Sequence, residues 1–340
     1  MPARHVLSLS LSLLVCATAL PGQKGRAYST GRFALEIDGK MAGFVSEFTG
    51  GSPTSTVVTE KLGPDMITRK HIAGVKYEPI VFDGAIDLAE TALQMLLDNK
   101  IRRVNGAVIT ADYSLKEVDR LNFFQALVTA VTIPELNGSI KDACHFDIEL
   151  QAEYTRTAKP DGGTLKSDAG KTAVTKCLPS NFRVTIDNLP TTRVAKIDAF
   201  TLRRTIVENA VGEMRDYQKQ PARLEFPNLK LTIGEVDIKD WAAWADDFIV
   251  KGNNGQDKEK TLTLEILSPN LKDVLLTLTA SGVGIVAVRP VPSAAGSENI
   301  RRSEVELYVE NWTLGPAKRA SLDGGPRQGA LRAVTRLVRN

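Results

Sequence analysis

Phe33, Ala34, Leu35, Glu36, Ile37 and Asp38, an alternating apolar run closed by a turn residue, return as Phe182, Arg183, Val184, Thr185, Ile186 and Asp187, an offset of 182 − 33 = 149 residues. Val45 and Phe48 recur at the same spacing as Val194 and Ile197, and Val57 and Val58 as Ile206 and Val207. Gly84, Ile86, Asp87 and Leu88 reappear one residue further on as Gly234, Val236, Asp237 and Ile238, and Ile148, Glu149 and Leu150 match Val305, Glu306 and Leu307 near the end of each copy. A repeat of this length is a whole domain, because solenoid units run about 20 to 50 residues and cannot bury a core alone. The chain therefore reads as two tandem copies of one fold. Few matched positions are identical, so the copies have diverged and their roles differ.

The local pattern is mostly β, with one helix per copy. In copy one, period-two strands over residues 32–37 and 43–49 flank a turn at Asp38 and Gly39, which makes a hairpin. Gly50, Gly51, Ser52 and Pro53 form a loop before strands at 55–59 and 75–82. Leu88, Ala92, Met95 and Leu96 at helical spacing predict a helix over 87–99, with Asp87 as N-cap and Glu90 three residues on. Strands follow at 107–113, 121–133 and 145–154. Copy two repeats the order, with strands at 182–186, 193–197, 202–207 and 229–233. A helix from Asp237 to about Val250 carries Trp241, Trp244 and Phe248 on one face as core residues. Strands at 261–267, 273–278, 284–288 and 304–309 complete it. Residues 157–178, which hold Pro160, Gly162, Gly163 and Gly170, read as the linker. The expected organisation is a leader or misassigned start at 1–26, domains at 27–156 and 179–315, and a tail at 316–340.

The charge balance excludes a polyanion-binding field, since 43 basic residues against 40 acidic ones leave a net +3. Lys318, Arg319, Arg327, Arg332, Arg336 and Arg339 make the tail basic, which reads as a solvated, flexible segment rather than a nucleic-acid arm. Arg4 and His5, the apolar stretch from Val6 to Leu14 and the small residues Ala17 and Ala19 read as a secretory signal. That run is too short to span a bilayer, and no later segment is long enough. Of the three cysteines, Cys16 lies in this leader. Cys144 and Cys177 could pair in an oxidising compartment or remain separate thiols.

The sequence assigns no catalytic, cofactor-binding or metal-ligating residue, and the reading is of a protein that is not an enzyme. His71 falls in an expected loop. Cys144 and His145 are adjacent, so on a strand they face opposite ways and cannot form a nucleophile and base pair by themselves. Asp147, Glu149 and Glu153 alternate along the last strand of copy one and read as a solvated face. Asp246 and Asp247 lie on the second helix. Gly50 and Gly51, like Gly252 and Gly255, sit in polar loops rather than between a strand and a helix, which argues against a phosphate cradle. Asn137, Gly138, Ser139 and Asn311, Trp312, Thr313 match the glycosylation pattern.

The opening of copy one, from Ala27 through Tyr28, Gly31 and Phe33 to Gly39, resembles the start of tail tube proteins of contractile phages and related injection systems. Similar stretches are Val57 to Lys61, Lys70 to Ile72 with Lys76 to Glu78, and Ala126 to Leu136; the resemblance is good over residues 28–155 and weaker over 180–314. It implies a β-sandwich or split barrel with one flanking helix, whose copies assemble side by side into a six-membered ring around a lumen and stack into a tube. It further implies that the loops at 50–54 and, loosely, 198–202 contact neighbours, and that sheath, baseplate or tape-measure proteins are partners. Two domains per chain let three chains fill six positions, as hub-like proteins do, or let six chains close a ring through copy one alone. Proteins of the family that the opening resembles normally carry no export signal. Either the particle is secreted, or translation starts near Val15 or Leu20 and assembly is cytoplasmic. The alternative function is an exported two-domain β-sandwich binding protein.

Overall fold

A computed structural model describes residues 31–61, 67–98, 100–165, 176–209, 216–292 and 301–316. The leader, the basic tail beyond 316 and the middle of the linker lie outside the described residues. The described chain is mostly β, with antiparallel pairing between its named strands. The first half runs β1 (Arg32–Ile37), β2 (Lys40–Val45), β3 (Phe48–Thr49), β4 (Pro53–Lys61), β5 (Thr68–Tyr77), β6 (Ile80–Gly84), α1 (Ile86–Leu97), β7 (Val104–Ala111), β8 (Glu117–Ile133), β9 (Leu136–Asn137), β10 (Phe146–Gln151) and β11 (Tyr154–Ala158). The second half runs β12 (Phe182–Ile186), β13 (Val194–Ile197), β14 (Phe200–Asn209), β15 (Gln218–Glu225), β16 (Leu229–Gly234), α2 (Ile238–Ala245), β17 (Lys260–Leu267), β18 (Val274–Pro290) and β19 (Arg302–Gly315).

The two halves share one strand order. The first sheet reads β1-β7-β8-β10-β6-β3, with β2 added beside β1, and the second reads β12-β17-β18-β19-β16-β13. The equivalence extends to single pairs. Phe33 faces Thr110 as Phe182 faces Ile266, Ile109 faces Arg120 as Glu265 faces Thr277, and Thr59 faces Lys70 as Glu208 faces Lys219. The period-two patterns that repeat in sequence thus place the same alternate side chains inward twice.

Several local expectations shift. The strand expected over 75–82 is broken at Glu78 and Pro79, because proline has no N–H for the ladder; β5 ends at Tyr77 and β6 starts at Ile80. The α1 cap position is Ala85 rather than Asp87, which lies in the first turn, where its charge still meets the helix dipole. The second helix stops at Ala245 and continues as one π turn over Asp246–Val250. The two strands expected at 273–278 and 284–288 are the single β18, with Gly282 at φ 64° where Ser281 and Val283 pair with Asn311 and Val309.

One apolar core passes through both halves. On α1, Ile86, Ala89, Leu93 and Leu96 are buried at helical spacing against β8 and β10, with β18 and β19 also in contact. Trp241 of α2 is fully buried, and its Nε1–H donates to the Pro190 carbonyl at 3.0 Å. Within the second half, the ring of Phe200 stacks on Trp312 with centroids 5.5 Å apart, and Ile133 and Leu136 of the first half are buried with Leu202 of the second in the same core. Residues 126–131 of β8 are buried on both faces, which explains their unbroken small and apolar run.

Candidate functional site

The feature that sets this molecule apart is the junction where the second half adds a strand to the first. β7 accompanies β8 only as far as the pair Val104 and Ala126. The edge it leaves is taken by β14, with Phe200 opposite Ile133, Thr201 opposite Thr132, Leu202 opposite Val131 and Arg203 opposite Ala130. Phe200 and Leu202 insert as buried anchors, and the hydroxyls of Thr132 and Thr201 lie 2.9 Å apart. A second, shorter pairing joins β13 to β9 through Ile197 and Leu136.

Charged side chains line this junction. Glu149 accepts from Arg203 at 2.9 Å and from the Thr129 hydroxyl at 2.8 Å. Burial alone would raise its pKa, but the hydrogen bonds from Thr129 and Gln151 and the Arg203 charge hold it below the ordinary carboxylate value. Glu153 accepts from the Lys219 backbone N–H at 3.1 Å and pairs with Arg103. The Lys219 side chain is buried beside Gln151 and Glu208, and burial pushes its pKa down. Arg204 donates to the Leu96 carbonyl at 2.6 Å, placing a cation at the C-terminal end of α1. Two of the acids expected to form a solvated face, Glu149 and Glu153, are therefore receptors for the second half. Asp147 keeps much of its surface in solvent, and its pKa is raised by partial burial of its carboxyl and by the charges of Asp83 and Glu47.

The equivalent ribbon of the first half, β4 and β5, forms a two-stranded sheet of its own. Its side chains are largely exposed, including Val57 at 57%, Ile72 at 67% and Val58 at 40%. The ribbon starts from Gly50 and Gly51, both at positive φ, and a Cβ on Gly50 would sit 1.8 Å from the Pro79 carbonyl oxygen. Only glycine tolerates that approach. The ribbon base is tied to the second half, since Lys76 pairs with Glu208 at 2.7 Å and Tyr77 donates to Asp216 at 2.8 Å.

The remaining residues marked in the sequence do not converge. Cys144 and Cys177 are joined by a disulfide, so Cys144 offers no thiol nucleophile. His145 is exposed, with Nδ1 2.6 Å from Asp83 Oδ2. His71 lies on β5 rather than in a loop, exposed and far along the ribbon. Asp246 pairs with Lys251 at 2.8 Å, and Asp247 accepts from Asn253 at 3.0 Å. Asn137 binds Ser139 at 2.7 Å within its turn, and Asn311 lies on β19 beside buried Trp312. Gly252 and Gly255 stay in the loop before β17. Among the described residues, no group of three or more His, Cys, Asp or Glu side chains is placed to hold a metal ion, and no helix is long and apolar enough to cross a membrane. A depression of about 420 Å³ beside Arg32 and Phe44 and one of about 380 Å³ beside Gln151 and Arg203 are both open to solvent.

Strand β15 and its buried Lys219 were not expected from local pattern. The 149-residue offset carries them, because Lys70 on β5 maps onto Lys219.

No family model matches the chain, and no curated protein matches it. Among solved structures it is similar to a chain of the sheath-tube complex of an extracellular contractile injection system, PVC, in the extended state. That chain is 16% identical, with a TM-score of 0.33, and the match covers 44% of this chain and 99% of that one. A chain of the anti-feeding prophage cap that terminates its tube is 16% identical with a TM-score of 0.33, covering 40% and 87%. A chain of the anti-feeding prophage baseplate is 15% identical with a TM-score of 0.32, covering 39% and 89%.

Proposed function

We propose that this protein is a non-enzymatic building block of a phage-tail-like tube or hub, with residues 27–156 and 179–315 as two successive, diverged units of a ring around a lumen. The observation that carries the proposal is the β14 junction: one copy of a repeated fold completes the open sheet edge of the other. Unpaired strand edges recruit further strands, and a head-to-tail contact repeated by rotation closes into a ring. The opening sequence from Ala27 to Gly39, with its likeness to tail tube proteins, supports the same assignment. Ring-forming copies, together with sheath, baseplate or tape-measure proteins, are the partners it implies.

Light scattering over a concentration series, followed by negative-stain microscopy, tests the proposal. Closed rings of three or six chains, or stacks of them, are expected. A monodisperse monomer at every concentration would overturn it.

The Cys144 and Cys177 disulfide favours a second assignment, an exported two-domain binding protein, because such bonds persist in oxidising compartments. Mass spectrometry of the natural N-terminus separates the two. Cleavage after Ala19 supports export, and an uncleaved or later start supports cytoplasmic assembly.

A further inference from the structure

We infer that the exposed β4–β5 ribbon of one chain seats on the free edge of β18, residues 284–290, in a second copy of this chain. The contact would repeat between molecules the junction that β14 makes with β8 inside one. It rests on the ring-building proposal and specifies the two surfaces that would carry it.

The acceptor is defined by the repeat. β17 accompanies β18 only as far as the pair Lys260 and Val283, just as β7 leaves β8 at Ala126. From Gly284 to Pro290 the opposite edge of β18 pairs with β19, while among the described residues no strand occupies the edge that β17 has left. In the first half the matching positions Ala130, Val131 and Ile133 are buried, with β14 paired along them. In the second half Arg289 and Pro290 are exposed, and Val286 is 40% exposed.

The donor is defined in the same way. β4 corresponds to β14 pair for pair, and β5 to β15. The β14–β15 ribbon is seated, whereas β4 has only β5 as a strand partner and carries Val57, Val58 and Ile72 into solvent. An isolated two-stranded ribbon is marginally stable in water and gains by adding its edge to a sheet. The chain thus presents one filled seat, one empty seat and one unseated ribbon.

Transferring the internal register places Gly51 opposite Pro290 and Thr54 opposite Ala287. Gly51 and Pro53 stand where Phe200 and Leu202 insert, so the junction between molecules lacks two buried anchors and is the weaker of the two. Donor and acceptor are different surfaces, and each chain keeps one of each. The contact therefore propagates head to tail instead of stopping at a symmetric dimer.

The test is crosslinking of the full chain in a Cys16→Ser background. Thr54→Cys combined with Ala287→Cys should give a ladder of disulfide-linked oligomers on mild oxidation. Each single variant should give none, and an equimolar mixture of the two should stop at dimers. Ala130→Cys with Arg203→Cys, the equivalent internal pair, should close within one chain and serves as the positive control. Val286→Lys, at an exposed position on the acceptor edge, should raise the concentration needed for assembly by roughly tenfold, because seating the ribbon would strip water from the added cation.

A closed control with no ladder, while rings are still seen by microscopy, overturns this interface and leaves the ring proposal standing. No ladder from a chain that stays monomeric overturns both. Assembly unchanged by Val286→Lys counts against the β18 edge as acceptor.

Discussion

Arg203 on β14 donates to Glu149 on β10 across 2.9 Å, and this contact bridges the two halves of the chain. Arg203 is 46% exposed and Glu149 13%, so solvent screens the pair from one side. A double-mutant cycle of Arg203→Ala and Glu149→Ala should return a coupling of about 0.5–1 kcal/mol in urea unfolding. Glu149→Ala alone should cost more, about 1–3 kcal/mol, because the buried Thr129 hydroxyl and the Gln151 amide lose the carboxylate, leaving Thr129 only the longer contact to the residue 149 carbonyl at 3.4 Å.

The same carboxylate sets a pH dependence. The pKa of Glu149 is lower in the folded chain than its ordinary 4.5, so its stabilising contribution is complete above that value and is lost as pH falls through the folded pKa. Asp147, whose pKa is raised, works in the opposite sense: its ionised form costs stability, which returns on protonation. The difference in thermal midpoint between the wild type and Glu149→Gln should be constant at neutral pH and shrink below about 4.5. A difference that grows on acidification would refute the assignment.

Leu202 anchors β14 with no exposed surface. Leu202→Ala should destabilise the chain by about 2–5 kcal/mol. Amide exchange should accelerate first in β14 and β15, before the strands of either main sheet. Uniform acceleration across both sheets would mean that the ribbon does not detach as a unit.

The disulfide between Cys144 and Cys177 closes a loop across 33 positions, from the approach to β10 to the approach to β12. In the chain-entropy account a loop of this size is worth roughly 3–4 kcal/mol. Cys144→Ser with Cys177→Ser should lower stability by that order without changing the far-ultraviolet circular dichroism at low temperature.

Gly50→Ala should destabilise the first half by at least about 2 kcal/mol, since the added Cβ meets the Pro79 carbonyl at a positive φ. Gly39→Ala, at a positive φ with open space around it, should cost less. Thermal denaturation of the two variants provides the comparison.

The fold was legible wherever side chains alternate between core and solvent. Phe33, Leu35 and Ile37 announced β1, and their echoes at Phe182, Val184 and Ile186 announced β12. Trp241 and Phe248 were legible as core because helical spacing puts them on one face. β15 was not, since Gln218 to Glu225 belongs to a ribbon mostly outside the core and carries little apolar periodicity. The pairing of Cys144 with Cys177 depends on tertiary proximity that spacing does not encode. Glu149 and Glu153 do not form the solvated face that their spacing suggests: Glu153 falls between β10 and β11, and Arg203 and Lys219 reach the two acids from a distant segment.

Because β14 meets β8 within its own polypeptide, that seam closes at a rate independent of dilution. The tether supplies an effective concentration that free partners would have to match in solution. In the proposed ring, with both halves of each chain as successive units, every second seam would already be shut before two molecules collide. Fewer encounters are then needed for closure, and the kinetic order of assembly in protein falls accordingly.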